Sequence, residues 1–387
     1  MPNFIEFVTA RLLAREGWEV HALTRAEGDN PQHATVLGIH VHRYHHFWQG
    51  ALTCTRLLIA RPSVVHIHNL RNNRVGMFAS ILTKLLRIPL FFTEYGLPHD
   101  HYLSADRDDP FEKPLAYSKV IRSFRELVRN CFASPLHISN HLRNYLFHRP
   151  LFLADQVLFV SKHNLPIAEK LGLKNYVLLP HILDTERWNI PARAGSSATP
   201  QATPLPDTPF ALFVGQLKER KGWETYLRAI PHIPEDTLSL FVLATQTPDI
   251  TPCTTLVEQL GIKDRVIIMH RISNETLHAL FEHCAAVVVP SYYEGFGLVP
   301  LEAFESHKPL VASRVEALTD FLVDGENACM VPPRDHKALA QALGTVLAQP
   351  NLTKRLTEGG DKTLVFLRSR EAHQKWLTFY HSHAHLT

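Results

Sequence analysis

The stretch SYYEGFGLVPLEAF carries two glutamates eight residues apart, Glu294 and Glu302, with Gly295 and Gly297 between them. The apolar run AVVVP, ending at Pro290, comes just before. This order predicts a strand, a glycine loop, and a helix with Pro300 in its first turn, where a missing N–H costs nothing. Free N–H groups and the positive end of the helix dipole then point back at the loop and make an anion site. Gly295 and Gly297 lack Cβ atoms, so a phosphate can approach the backbone. Glu302 falls about one turn into the helix, where a carboxylate can accept both hydroxyls of a ribose. Glu294, on the loop, is placed to accept hydroxyls from a second sugar. Together these features describe a site for a nucleotide-sugar. Taken singly, they are a glycine turn before a helix with an acidic start.

A second stretch, FALFVGQLKERKGWETYLRAI, sharpens the choice. It predicts a strand ending at Val214, a tight turn at Gly215, and a helix opening at Trp223 after Lys221-Gly222. Arg220 and Lys221 then sit at a strand-to-helix corner on the carboxyl edge of a sheet, where α/β proteins bind ligands. Both can neutralise a diphosphate, the arginine bidentately. Alone, KERK would read as a solvated charge run.

The elements that must position these residues alternate along the chain. Strand candidates in the first half are WEVHALT, GIHVHRY, VVHIH, IPLFFT, QVLFV and YVLLP. In the second half they are FALFV, SLFVLA, RVIIM, AVVVP, PLVAS and ACMVP. Short β-branched runs between amphipathic helices predict parallel α/β sheets buried on both faces. Residues 189–209, rich in Pro, Ala, Ser and Thr, read as a linker. The chain thus divides into a first domain (1–188), the linker, a second domain (210–368), and a terminal helix and tail (369–387) that can pack back on the first domain. The cleft between two such domains is the default ligand site.

Composition narrows the function classes. The 387 residues, 45 % hydrophobic and 20 % charged, suit a two-domain globular protein. A net charge of +3 gives no argument for nucleic acid. Five cysteines, Cys54, Cys131, Cys253, Cys284 and Cys329, form no CxxC pair, which points to a reducing compartment. The first residues lack a signal peptide's basic start and apolar core, and the expected location is the cytoplasm. The 25 histidines gather in HVHRYHHF, HIHN, LPHDHY and HSHAH. His66 and His68 would share a strand face and could chelate a metal, but no Cys or carboxylate cluster joins them, so structural histidines are expected. Residues 111–150 break the rhythm with a long helical pattern. Lys119, Arg122, Arg125, Arg129 and Arg143 alternate there with Ile121, Phe124, Val128, Leu142, Leu146 and Phe147. This is a helical insertion covering the first sheet, or a basic helix (about 117–130) lying on the inner face of a membrane.

VGQLKERKGWETYLRAI, HRISNETLHALFEHCAAVVVPSYYEGFGLVPLEAFESHKPLVAS and FLVDGENACMVPPRDHKALAQAL together resemble the retaining family-4 glycosyltransferases of GT-B fold, two Rossmann-like domains facing a central cleft. Glu294 and Glu302 fit that family's E-x7-E element. REGWEVHALTR, SVVHIHN, RIPLFFTEYG, VLFVSKHN and YVLLPHILD extend the likeness through the first half. Residue 1 already stands at the front of the first helix, so the resemblance implies a first domain lacking the family's opening strand and glycine-rich loop.

The resemblance implies sugar transfer, with the anomeric configuration kept, from a UDP- or GDP-type nucleotide-sugar to a glycan, a lipid-linked sugar or a small molecule. It implies no cofactor and no metal. The donor would be held by Gly215, Gln216, Arg220, Lys221, Glu294, Gly295, Phe296, Gly297, Leu298 and Glu302. Glu294, Lys221 and Tyr95 would serve the chemistry, and His99 or His101 would lie on the acceptor side. Gln216 and Tyr95 stand where the family usually has arginine and histidine. Two other readings share the fold: a non-catalytic protein binding a glycan or a protein partner, and a nucleotide-sugar epimerase.

Overall fold

A computed structural model describes residues 5–26, 30–68, 74–94, 120–183 and 205–384. The chain forms two compact units, Pro2–Arg187 with Arg368–Thr387, and Trp188–Leu367. The segment read as a linker lies mostly outside the described residues.

In the first unit the opening helix is Ile5–Arg15, and Gly17 turns the chain after it at φ +86°. Strands β1 (Val20–Arg25), β2 (His33–Val36) and β3 (Ile39–Tyr44) form one sheet in the order β1-β3-β2. Strands β4 (Val65–His68), β5 (Leu90–Glu94), β6 (Gln156–Phe159) and β7 (Tyr176–Leu178) form a second, all-parallel sheet in sequence order. Among the described residues, β1 and β4 each pair on one side only. The sequence reading missed β2, a short antiparallel strand whose residues alternate between half-buried and exposed. It has no run of apolar residues to announce it.

The four-stranded sheet is buried on both faces because its side chains alternate. Phe92, Val157 and Phe159 pack toward the core that includes Cys54, Leu58, Val75 and Ala79 of the helices Phe47–Ile59 and Arg74–Leu85. Phe91 and Leu158 point the other way, into a core shared with Val8 and Leu13 of the opening helix and with Trp376, Phe379 and Tyr380 of the last helix, Arg370–His383. Trp376 is fully buried, and its indole N–H donates to the Pro180 carbonyl at 2.8 Å.

His66 and His68 belong to this packing. Their rings lie against each other, tilted by 33°, with centroids 3.9 Å apart. His66 bonds the Thr93 hydroxyl at 2.6 Å through Nε2 and the Tyr380 hydroxyl through Nδ1. Burial pushes the His68 imidazole down to about 3 and holds His66 well below the ordinary histidine value, so both rings are neutral.

The segment expected to be one long helix is broken. Among the described residues it comprises the helices Phe124–Ala133, Ile138–Phe147 and Arg149–Leu153, with a 3-10 turn at Pro135–His137. Where a basic helix over about residues 117–130 is expected, the described helix is Phe124–Ala133. Ser123 accepts a hydrogen bond from the Glu126 N–H while the Glu126 carboxylate accepts from the Arg122 N–H, a reciprocal cap that fixes the start. Pro135 ends the first helix, since it has no N–H to continue the ladder.

The second unit holds a six-stranded parallel sheet built from β8 (Phe210–Val214), β9 (Leu240–Thr245), β10 (Val266–His270), β11 (Ala286–Val289), β12 (Leu310–Ser313) and β13 (Cys329–Val331). The order is β10-β9-β8-β11-β12-β13. The chain runs outward from β8 to β10, crosses back to β11, and runs outward the other way. The two directions meet between β8 and β11.

Replacing Trp376 by alanine is expected to destabilise the first unit by about 3–5 kcal/mol, since a fully buried indole and its hydrogen bond are lost. Denaturant unfolding monitored by circular dichroism checks this; an unchanged midpoint would show that the last helix does not hold that core.

Candidate active site

The carboxyl ends of β8 and β11 lie side by side where the strand order reverses, the place where open α/β sheets form a ligand crevice. The two stretches singled out from the sequence are the loops that leave these strands. After β8 the Gly215 N–H donates to the Ala244 carbonyl at 3.1 Å, and the Leu217 N–H donates to the Thr247 hydroxyl at 2.8 Å. Gln216 between them is exposed. A 3-10 turn, Glu219–Lys221, then leads to the helix Trp223–Ala229.

The loops are stapled together. Gly222, at φ +67°, lets the first loop run against the second, and a Cβ there would lie 1.8 Å from the Pro290 carbonyl oxygen. The Tyr292 N–H donates to the Arg220 carbonyl at 2.7 Å. The hydroxyls of Thr225 and Tyr292 are 2.6 Å apart, and the Arg334 guanidinium lies over the Tyr292 ring at 4.9 Å.

Glu294 is the centre of this arrangement. It is 7 % exposed. Oε1 accepts from Lys221 Nζ at 2.6 Å and from Ser291 Oγ at 2.7 Å. Arg220 Nη1 is 3.7 Å from Oε2 and also reaches the Tyr293 carbonyl at 3.4 Å. Burial alone would raise the carboxyl's pKa. The Lys221 ammonium, the Arg220 guanidinium and the hydrogen bonds from Lys221 and Ser291 outweigh it and hold Glu294 below the ordinary glutamate value.

The helix Leu298–Glu305 begins three residues after Gly295. Gly297 opens it at φ +99°, and a Cβ there would stand 2.4 Å from Leu318 Cδ2. Phe296 is buried and stacks on Phe321 with centroids 4.9 Å apart, which anchors the loop between the glycines. Glu302 lies in the second turn, 8 % exposed. Its burial suits a group that meets a partner inside the crevice rather than a solvated helix face.

The structure therefore gathers Gly215, Gln216, Arg220, Lys221, Glu294, Gly295, Phe296, Gly297, Leu298 and Glu302 onto two loops and one helix end of the same sheet edge. Tyr95, His99 and His101 lie outside the described residues. Ser291 and Thr225 are site residues that the sequence reading passed over. Ser291 stood three residues before Glu294 and gave a readable signal; Thr225 sits in a helix and gave none. Among the described residues no group of three or more side chains is placed to hold a metal ion.

Comparison with known proteins fits this geometry. A family model described as glycosyl transferases group 1 matches residues 197–363, and one described as a glycosyl transferase 4-like domain matches residues 8–151. The chain is 33 % identical over 312 residues to the D-inositol 3-phosphate glycosyltransferase of Xylanimonas cellulosilytica, covering 75 % of this chain and 73 % of that relative. Among solved structures, a sucrose-phosphate synthase from Thermosynechococcus elongatus superposes with a TM-score of 0.70 at 20 % identity, over 97 % of this chain and 92 % of that one. Anabaena Alr3699/HepE in complex with UDP-glucose superposes with a TM-score of 0.63 at 13 % identity, over 94 % of this chain and all of the other. The two loops around Glu294 thus belong to a known architecture: this chain is a member of the family-4-like glycosyltransferases of GT-B fold.

Proposed function

We propose that the protein is a retaining glycosyltransferase that takes its sugar from a nucleotide-sugar, with UDP the favoured nucleotide. The carrying observation is the Lys221 and Arg220 pair closed on buried Glu294 at the strand reversal. One carboxylate faces both cations, Lys221 at 2.6 Å and Arg220 at 3.7 Å. A donor brings a diphosphate for the cations and sugar hydroxyls for the carboxylate, so no buried charge is left without a hydrogen-bond partner. Lys221 and Arg220 then stabilise the charge that grows on the leaving diphosphate, and the N–H groups opening the helix Leu298–Glu305 face the same region. Glu302 takes the ribose diol. Support for UDP comes from the HepE structures, whose ligands are UDP and UDP-glucose.

The acceptor is a glycan, a lipid-linked sugar or a small polyol. The D-inositol 3-phosphate glycosyltransferase and a lipopolysaccharide core glycosyltransferase of Rhizobium meliloti are both among the relatives, and their names support this range. By resemblance to the family, Tyr95 serves the chemistry, and His99 or His101 serves the acceptor side.

Lys221→Ala and Glu302→Ala are each expected to weaken UDP-sugar binding roughly 10- to 100-fold, the worth of one charge-assisted hydrogen bond. Calorimetric titration with UDP-glucose and UDP measures this. Wild-type affinity in both variants would remove these residues from the donor site, and wild-type protein that binds neither ligand would remove UDP as the donor nucleotide.

The depressed pKa of Glu294 gives a pH test. A carboxyl lowered in the folded state contributes stability above its unfolded value, and that stability is lost as pH falls through the folded value. Donor binding and loop stability should therefore hold at neutral pH and fall only below the ordinary glutamate range. In Lys221→Met the largest lowering charge is gone while burial remains, so the fall should move to higher pH. Binding of UDP across an acid titration of both proteins reads the shift; superimposable profiles would mean that Lys221 does not set the state of Glu294.

A further inference from the structure

The large hydrophobic side chains left in solvent are very unevenly placed. Thirteen of the sixteen such exposed residues among those described belong to the first unit, and eleven of them lie between Trp48 and Leu142 on four helices and the turn Pro135–His137. Trp48, Leu52 and Ile59 form one stripe along the helix Phe47–Ile59, and Ile81 and Leu85 sit one turn apart on Arg74–Leu85. Phe124, Val128 and Phe132 repeat every fourth residue on Phe124–Ala133, while Leu136 stands on the turn that follows. Trp48 is 80 % exposed, Phe132 82 % and Leu136 96 %. The segments are neighbours: Arg74–Leu85 packs against Phe47–Ile59 and against Ile138–Phe147, and Ile138–Phe147 packs against Phe124–Ala133.

The charge on these segments has one sign. No Asp or Glu occurs from Asn30 to Thr93. Glu126 is the single acid of the two helices Phe124–Ala133 and Ile138–Phe147; it accepts from the Arg122 N–H and lies 3.9 Å from Arg129. Arg56, Arg74, Arg125, Arg129 and Arg143 are exposed on the same helices. A protein interface of ordinary composition mixes both signs of charge at its rim. Long apolar side chains among arginines alone, with an indole in the set, match the boundary between acyl chains and anionic headgroups.

We infer that these helices of the first unit bind the surface of an anionic lipid bilayer, with the turn at Leu136 and the ends of Phe132 and Trp48 inserted at the headgroup boundary. Among the described residues no helix is long and apolar enough to cross the membrane, so the contact is peripheral. The surface is broader than a single basic helix over residues 117–130, and the apolar side chains are as much a part of it as the charge. It holds whichever sugar the protein transfers.

The test is flotation of the full chain with phosphatidylcholine vesicles, with and without phosphatidylglycerol. The wild type should float with the anionic vesicles and stay behind with the neutral ones. The pairs Phe132→Ser with Leu136→Ser, and Arg125→Glu with Arg129→Glu, should each lower the bound fraction roughly tenfold. Their side chains are solvent-exposed, so circular dichroism and UDP binding should match the wild type. A wild type that ignores anionic vesicles, or variants that float as it does, would overturn the inference. So would a concentration-dependent dimer that the same substitutions dissolve while vesicles stay unbound, which would assign the surface to a second copy of the chain.

Discussion

A carboxylate cannot be buried alone, and much of the second unit's architecture answers that constraint. Glu294 needs a lysine, an arginine and a serine hydroxyl around it, and the lysine and arginine come from a loop more than seventy residues earlier. Bringing that loop close enough demands a residue without a Cβ at Gly222, because the Pro290 carbonyl occupies the space. It also demands that β8 and β11 be neighbours, which the strand order supplies. The backbone bond from Tyr292 to Arg220 and the hydroxyl pair of Thr225 and Tyr292 then hold two loops as one body. A site fixed this way before any ligand arrives spends little of its binding energy on ordering itself.

Much of this was legible in the sequence because the signals were local. All twelve strand candidates became strands, since short apolar runs such as AVVV and FALFV admit few alternatives when both sheet faces are buried. The loop after β11 was readable from its glycines and from Pro300 in the first helical turn. What the sequence could not supply was pairing across distance. Nothing in KERK says that Lys221 meets Glu294 rather than solvent, and nothing in TYLRA marks Thr225 as the partner of a tyrosine in another loop. The strand β2 was missed for the opposite reason: it is an edge segment with little to bury, so its residues carry no pattern. Residues 111–150 carry a long helical pattern in the sequence, and within their described part Pro135 divides it into separate helices.

The two units spend their hydrophobic residues differently. In the second, almost all large apolar side chains are inside, and the polar groups that matter are buried on purpose at one sheet edge. The first seals both faces of its four-stranded sheet and even encloses two neutral histidines, yet leaves a whole set of outer helices apolar. Insufficient core is not the cause, because Phe92 and Phe159 are fully enclosed beneath them.

The first unit is not a continuous piece of chain. Trp376, Phe379 and Tyr380 fill the same core as Val8, Leu13 and Phe91, so that core stays open until residues 370–383 have been made. During synthesis the second unit, continuous from Trp188 to Leu367, can close while the ribosome still holds the residues that finish the first. The half that begins first is completed last. In the interval the face that will receive the final helix is an apolar surface without its cover.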